Sequence, residues 1–277
     1  MLFIKLNLYL YFIIFYYKMT ITIKFNNIIT HTYDSFEEIL KLENYNDIIY
    51  LNCSYNNSYN LPNLPNSLQN LFCTNNNLSR LPELPNSLTR IYCYHNKLFS
   101  LPELPNSIQV LCCQNNKLSS LPELPKSLQD MRCSNNNISR LPKLSHSLLY
   151  LDCHNNWLSD LPNLPNSLIQ LHCSNNNLSN LPELPHELIT LWCNNNLLSS
   201  LPKLPNSIIY LHYIDNPIFE YIEHYFNGKQ QKYIEHQTNM KRKFINKIEN
   251  WFLDCKYNPK YLYCRKRLMK EYDELYN

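Results

Sequence analysis

Residues 61–120 decide the fold, because they contain three copies of one pattern: LPNLPNSLQNLFCTNNNLSR at 61–80, LPELPNSLTRIYCYHNKLFS at 81–100 and LPELPNSIQVLCCQNNKLSS at 101–120. The 20-residue period continues without insertion or deletion to LPKLPNSIIYLHYIDNPIFE at 201–220. A degenerate unit, DIIYLNCSYNNSYN, precedes it at 47–60. Self-similarity at a fixed period of this size is the signature of a repeat protein. We therefore expect residues 47–217 to form one array of about nine units.

Each repeat predicts a short strand followed by a return segment. Leu71 and Cys73 share one parity and Phe72 has the other, an alternation typical of a strand with one buried face. Strands that recur at a constant interval can stack only as a parallel sheet. The return segment holds prolines such as Pro82 and Pro85, which are incompatible with a helix interior and favour extended or polyproline-like backbone. One repeat buries too little apolar surface to fold alone, so the array is a solenoid whose ends need caps.

Two further residue types recur at fixed columns of the repeat. Asparagine is expected to hydrogen-bond backbone groups of adjacent coils, at Asn76, Asn96, Asn116, Asn136, Asn156, Asn176, Asn196 and Asn216. Cysteine occupies the second column, at Cys53, Cys73, Cys93, Cys113, Cys133, Cys153, Cys173 and Cys193. Side chains of such a column point the same way on strands about 4.8 Å apart, so we expect packed thiols, not disulfides or a metal site. Unpaired thiols indicate a reducing compartment and a cytoplasmic location.

The reduced pattern of the array, L-x-x-L-x-C-x-x-N-x-L followed by L-P-x-L-P, resembles leucine-rich repeats. The short LPxLP form is similar to the class found in secreted effectors of enteric pathogens. This resemblance covers about 170 of the 277 residues. It implies a parallel β-sheet leucine-rich repeat coil, in agreement with the fold class that the period and the prolines predict.

The residues before the array divide into an apolar leader, 1–18, and an N-terminal cap, 19–46. Three interpretations of the leader are open: a stretch that is not translated because Met19 is the true start, a membrane or signal segment, or ordinary structure. Membrane association or secretion is expected only if the leader is expressed and functional. In the cap, Ile21 and Ile23 alternate with polar residues, which predicts a strand covering the open end of the coil.

Residues 218–277 are predicted to form a helical, basic C-terminal cap. Apolar residues recur at steps of three and four: Phe244, Ile245, Ile248, Trp251 and Phe252. The segment carries 12 basic and 8 acidic residues, with basic clusters at 241–243 and 265–267, whereas residues 47–217 carry 9 basic and 10 acidic residues. YNPKY at 257–261 and CRKRL at 264–268 resemble the tails of leucine-rich repeat proteins in giant DNA viruses. We expect the helix to cover the apolar edge of the last coil.

The composition excludes several functional classes. The chain has one glycine, Gly228, so glycine-rich phosphate loops, GxSxG elbows and GxGxxG motifs are excluded. The net charge of +3 is small and located in the tail. Nucleic acid is therefore not expected as a partner, and the basic clusters are interpreted as a solvated helix face. No cofactor and no small-molecule substrate are predicted, and membrane binding is left open by the apolar leader.

Three outward columns of the predicted strands vary from repeat to repeat, as the residues of a binding face would. Large amphipathic and charged side chains in these columns are of the types enriched at interface hot spots. The candidate binding residues are Phe72, Tyr92, Tyr94, Arg132, Tyr150, Asp152, His172, Trp192, Tyr210 and His212. Nine strands give a face about 38 Å long, enough for a standard protein interface. Neutral drift at solvent-facing positions is the alternative interpretation.

Asp152, His154 and His172 are close enough in the predicted sheet to be considered as metal ligands. Exposed polar residues on a polar face need no such explanation, so no metal site is predicted. No catalytic residue is predicted either.

We therefore expect a non-enzymatic protein–protein interaction module that binds a partner protein on the strand face. Two alternatives are open: an adaptor or effector linked to a ubiquitin ligase pathway, and a structural viral component, which would place the protein in a host cell. Effectors with similar repeats can carry a catalytic-cysteine ubiquitin ligase domain after the repeats. Here only the segment 218–277 follows, which is too short for that domain, and Cys255 lacks its motif context.

Overall fold

The computed structural model describes residues 20–25 and 29–218, and one sheet runs through them. A short helix, α1 (Phe36–Ile39), and a 3₁₀ turn at Tyr45–Asp47 precede the repeats. The strands are β1 (Ile21–Lys24), β2 (Thr30–Tyr33), β3 (Tyr50–Asn52), β4 (Asn70–Phe72), β5 (Arg90–Tyr92), β6 (Val110–Cys112), β7 (Asp130–Arg132), β8 (Tyr150–Asp152), β9 (Gln170–His172), β10 (Thr190–Trp192) and β11 (Tyr210–His212). The sheet order is β2-β1-β3, followed by β4 to β11 in sequence.

Strands β3 to β11 are parallel, and each is paired with the equivalent strand of the next repeat. Leu71 lies opposite Ile91, and Leu151 lies opposite Leu171. Because the register equals the repeat length, equivalent residues of successive repeats form straight columns. The predicted parallel β-solenoid is confirmed.

An antiparallel addition closes the amino-terminal end of the solenoid. Strand β1 pairs antiparallel with β3 on one edge and with β2 on the other. Ile21 and Ile23 are buried and alternate with half-buried neighbours, so the predicted capping strand is confirmed. Ile39 of α1 and Ile48 are also buried in the core at this end. Strand β2 was not predicted, because its residues THTY carry no apolar alternation.

The core consists of stacked columns of leucine and cysteine. The column that begins at Leu68 is buried in every described repeat, and the column that begins at Leu78 is buried as far as Leu198. The eight cysteines of the predicted column are all buried and unpaired, which confirms the prediction of packed thiols. Burial raises the pKa of the Cys53 and Cys193 thiols, at the two ends of the column, to about 12. These thiols therefore stay protonated and behave as small hydrophobic side chains.

An asparagine in each coil satisfies backbone groups that the short strands leave unpaired. The Nδ2 atom of Asn136 donates to the carbonyl oxygens of Cys113 and Cys133, each at 3.1 Å, and of Ser134 at 3.2 Å. Its Oδ1 atom accepts from the backbone N–H of Leu118 at 3.0 Å. The pattern recurs at the other asparagines of the column, so the predicted role in joining adjacent coils is confirmed.

Between the strands of the array, the described return segments contain neither helix nor strand, as the prolines predicted. Serine hydroxyl groups donate hydrogen bonds from one return segment to the preceding repeat. Ser87 Oγ lies 2.7 Å from the carbonyl oxygens of both Asn66 and Leu68. The same arrangement recurs at Ser107, Ser127, Ser167 and Ser207.

The apolar leader (1–18) and nearly all of the predicted C-terminal cap (218–277) lie outside the described residues, so the helix predicted around Phe244 stays a prediction. The boundaries of the two caps stay predictions as well. Within residues 20–25 and 29–218, no helix has the length and apolar character needed to cross a membrane.

Candidate functional site

The strand face consists of the side chains that β4 to β11 direct away from the core. Each strand is three residues long, and its middle residue, such as Leu71 or Leu151, belongs to the core columns. The residues before and after it therefore point outward, and the parallel register places them beside their counterparts about 4.8 Å away. Nine of the ten predicted binding residues lie in these strands, and Tyr94 follows β5 by two positions.

Aromatic rings stack on the amino-terminal part of the strand face. The rings of Phe72 and Tyr92 are nearly parallel, with centroids 4.5 Å apart and planes 7° apart. Tyr50 of β3 extends the stack, with its centroid 5.2 Å from that of Phe72. The ammonium of Lys24 lies 5.2 Å from the Tyr50 centroid, in cation–π contact. The register of the sheet thus brings rings from β3, β4 and β5 into one surface.

A second aromatic row occupies the carboxy-terminal part of the strand face. His172 stacks on Trp192 at 4.1 Å with planes 6° apart, and His212 meets the Trp192 ring edge-on at 5.5 Å. Tyr150 contacts His172 edge-on at 5.4 Å, and its hydroxyl lies 3.2 Å from His172 Nδ1. Partial burial lowers the pKa of His172, so its ring is neutral near pH 7. Trp192 nevertheless keeps 40% of its surface exposed.

Arg132 connects this row to the middle of the face. Its Nε and Nη2 atoms donate to the two carboxylate oxygens of Asp130 at 3.1 and 3.0 Å. The guanidinium carbon lies 4.7 Å from the Tyr150 centroid, so the cation also covers the aromatic row. The hydrogen bonds to Asp130 raise the pKa of Arg132 further. This side chain is held from two sides and presents a fixed positive charge.

Asp152 and His154 form the closest ionisable pair of the described face. His154 Nδ1 lies 2.6 Å from Asp152 Oδ1, and the hydroxyl of Ser134 donates to Asp152 Oδ2 at 3.1 Å. Burial alone would raise the pKa of Asp152, but these hydrogen bonds outweigh it and hold the pKa below its ordinary value. The hydrogen bond to Asp152 raises the pKa of His154. The carboxylate is therefore occupied by its neighbours and does not point freely into solvent.

The outward columns are not uniformly exposed. Asp152 is 9% exposed and Cys112 is 4% exposed, because residues from neighbouring strands cover both. Thr74, Ser134 and Ser174, in the third outward column, are buried as well. Within the described residues, no group of three or more histidines, cysteines or acids is placed to hold a metal ion.

A solved Shigella effector LRR domain has the same architecture. It is 35% identical to this chain with a TM-score of 0.53, and the match covers 59% of this chain and 74% of that domain. The chain belongs to the leucine-rich repeat proteins. No protein-family model matches this leucine-rich repeat chain, and no curated protein matches it either.

Two solved structures of YopM are similar to the leucine-rich repeat chain. YopM from Yersinia enterocolitica WA-314 is 41% identical with a TM-score of 0.60, and YopM from Yersinia pestis, a leucine-rich effector protein, is 35% identical with a TM-score of 0.59. Each match covers 61% of this chain. The chain spans 38% and 49% of the lengths of these two YopM chains.

Two predicted binding residues of the leucine-rich repeat chain lie at the margins of the aromatic rows. Tyr94 is half-buried, and its ring meets that of His95 edge-on at 5.5 Å. Tyr210 begins the last described strand and is 41% exposed. The structure thus brings eight of the ten candidates into the contact groups described above and places these two beside them.

A fourth column of equivalent residues borders the strand face and was not predicted from the sequence. It lies one residue before each strand of the array. The column begins with Ile49, is polar in the next four repeats, at Gln69, Thr89, Gln109 and Gln129, and is aliphatic without interruption in the last four, at Leu149, Ile169, Ile189 and Ile209. We call these four aliphatic residues the rim row. The change from polar to aliphatic residues after position 129 is the sequence signal for this column. The column lies outside the three outward columns of the predicted strands, because it precedes the first residue of each strand.

Proposed function

We propose that this leucine-rich repeat chain is a protein-interaction module that binds a partner protein on its strand face. The observation that carries the proposal is the second aromatic row, where Trp192 is stacked on His172 at 4.1 Å and still 40% exposed. A large aromatic side chain fixed in place loses little conformational entropy on binding, which makes it an effective anchor. Similarity to effector repeat domains supports the same conclusion.

The remainder of the face supports this proposal through fixed charge and shape. Arg132 is held by Asp130 and by the Tyr150 ring, so it is presented to a partner in one orientation. Tryptophan, tyrosine and arginine are the residues enriched at interface hot spots. The Phe72–Tyr92 stack supplies a second apolar surface at the other end of the face.

The proposal is non-enzymatic, and it places the protein in a reducing compartment such as the cytoplasm. The nine cysteines of the described residues are unpaired and buried, and burial raises the pKa of the Cys112 thiol to about 12. Thiols of this kind are poor nucleophiles. An adaptor or effector linked to a ubiquitin ligase pathway and a structural viral component are the alternatives to this proposal, and the identity of captured partners distinguishes them.

Replacing Trp192 tests the proposal. We expect Trp192→Ala to weaken partner binding by about 2 kcal/mol or more, roughly 30-fold, because a hot-spot anchor is removed. Trp157→Ala is the matched control, since Trp157 is 62% exposed but lies outside the strand face. The measurement is quantitative affinity capture from the native cell with wild type and the two variants, followed by titration of the partner identified.

Three results separate the interpretations. Loss of one partner with Trp192→Ala and its retention with Trp157→Ala supports the proposal. Equal capture by all three proteins contradicts it, provided that circular dichroism shows both variants folded. Loss of the partner with Trp157→Ala alone would place the interface outside the strand face, and this result also contradicts the proposal.

A further inference from the structure

The rim row is an aliphatic ridge at one border of the strand face. Leu149 is 41% exposed, and Ile169, Ile189 and Ile209 are half-buried. Four aliphatic side chains in an unbroken row at about 4.8 Å intervals give a ridge about 14 Å long. Single exposed apolar residues are ordinary, but a contiguous row marks an interaction site.

Backbone hydrogen bonds hold the rim row in register. The N–H of Ile169 donates to the carbonyl of Leu149 at 2.9 Å, and the N–H groups of Ile189 and Ile209 donate to the preceding members at 2.8 Å. The ridge is therefore as regular as the sheet itself. Before β4 to β7 the same column carries glutamine and threonine, and Ile49 before β3 has no aliphatic neighbour in the column, so the unbroken apolar ridge is confined to the strands next to the C-terminal segment.

The chain itself contains a segment that fits this ridge. After Ile218, the residues Phe244, Ile245, Ile248, Trp251 and Phe252 share one stripe of a predicted helix. A helix over residues 241–252 would be about 18 Å long, close to the length of the ridge. The stretch 219–240, which joins the last described coil to this helix, can span about 70 Å, far more than the width of a coil.

Charge favours the same arrangement. Glu187 is exposed two residues before Ile189, at a column where serine occupies the equivalent position of the neighbouring repeats. Lys241, Arg242 and Lys243 precede the apolar stripe of the predicted helix. The segment from residue 218 onward has 12 basic and 8 acidic residues, whereas the array has 9 basic and 10 acidic residues. A basic helix end beside Glu187 brings opposite charges together.

We propose that residues 241–252 form an amphipathic helix that lies across β8 to β11 with its apolar stripe on the rim row. The helix covers the border of the carboxy-terminal part of the strand face and leaves the Phe72–Tyr92 stack open. The arrangement does not rest on the proposed function, because both elements belong to the same chain.

Photo-crosslinking of the full chain tests the arrangement. Benzoylphenylalanine is introduced in place of Leu149, an exposed member of the rim row, and in a second protein in place of Gln69, an exposed residue of the same column outside the row. The purified proteins are irradiated at about 1 µM, far below the millimolar effective concentration of a tethered segment. Cross-linked peptides within single chains are then mapped by mass spectrometry.

We expect the Leu149 probe to capture peptides from residues 241–252 and the Gln69 probe to capture none of them. Ile248→Asp should reduce this capture by about tenfold or more, because a charge would face the ridge. Asn246→Asp, on the opposite side of the predicted helix, should leave it unchanged. The proposal is overturned if the Leu149 probe finds no peptide from 241–252, as it would with a helix that covers only the edge of β11, or if the peptides occur only in covalent dimers.

Discussion

At the scale of single residues, the interior asparagines explain how coils with three-residue strands keep their backbone groups paired. Each strand is too short to saturate the polar groups of the turn that follows it, and those groups are buried. Asn136 alone contacts three carbonyl oxygens and one N–H. An unpaired buried polar group costs about 1–3 kcal/mol, so this side chain contributes more than an average hydrogen bond.

Asn136→Ala is therefore expected to lower the free energy of unfolding by about 3 kcal/mol or more, because several buried groups lose their partner. Asn137→Ala is the control: the next residue is also asparagine but is exposed, and its replacement should change stability by no more than about 0.5 kcal/mol. Urea unfolding followed by circular dichroism measures both. Equal losses in the two variants would contradict the role assigned to the interior column.

The Asp152–His154 pair gives the face a dependence on pH. The pKa of His154 is raised, so its contribution to stability is complete below about 6.5, the unfolded pKa, and is lost as the pH rises through the folded pKa. The pKa of Asp152 is lowered, so its contribution is present above about 3.9 and is lost as the pH falls through the folded pKa. The pair stabilises the fold most between these limits.

His154→Gln should cost about 0.5–1 kcal/mol of unfolding free energy near pH 5.5, because it removes a partly exposed ion pair, and less above pH 8. His186→Gln, which replaces an exposed histidine outside the pair, is the control. Denaturant unfolding at pH 5.5, 7 and 8.5 provides the comparison. A cost that grows with pH would show that the pair has the opposite effect.

At the scale of the element, the turn after each strand depends on a left-handed residue. The column that begins at Asn75 has φ between +52° and +56°, and it is asparagine in most repeats but histidine at position 95 and aspartate at position 215. Asparagine tolerates this region because its short side chain hydrogen-bonds locally, whereas β-branched residues do not. The sheet register is thus set by a backbone conformation as well as by the buried columns.

His95→Val is expected to destabilise the chain by about 1–2 kcal/mol, the cost of a left-handed conformation for a β-branched residue. His95→Asn should cause no loss, because asparagine occupies the equivalent position in neighbouring repeats. Lys97→Val is the exposed control two residues away. Thermal unfolding of the three variants tests this, and an unchanged melting temperature for His95→Val would contradict it.

At the scale of the whole molecule, the array behaves as a one-dimensional stack in which each coil is stabilised by its neighbours. The ends are the weak points, because an uncovered coil exposes the core and an unpaired strand edge. At the amino-terminal end, strand β1 pairs with the open edge of β3, and its residue Ile23 covers the core.

Ile23→Asp should therefore destabilise the amino-terminal end by about 3–5 kcal/mol, because it buries an unpaired charge. Thr22→Asp, on the half-buried side of the same strand, is the control and should have a much smaller effect. Size-exclusion chromatography is expected to show association of the Ile23→Asp protein through the exposed edge of β3. A monomeric, fully stable Ile23→Asp variant would show that the cap is dispensable.

Much of the solenoid is predictable from local pattern. The parity of Leu71 and Cys73, repeated at a constant interval, predicts the parallel strands and the buried thiols, and the structure shows both. The column of Asn136 was predictable because a polar residue that never varies in a buried stretch must pair with backbone. Strand β2 was not predictable, since THTY has no apolar periodicity and pairs only because β1 offers an open edge.

The amino-acid sequence by itself determined the period, the direction of each side chain and hence the columns, because a strict repeat allows only one register. The tertiary structure decided which outward side chains reach solvent. Asp152 and Cys112 follow the outward parity but are covered by neighbours, whereas Trp192 is stacked and still exposed. Exposure depends on the volumes of the equivalent side chains in the preceding and following repeats, and these meet only when the coils are stacked.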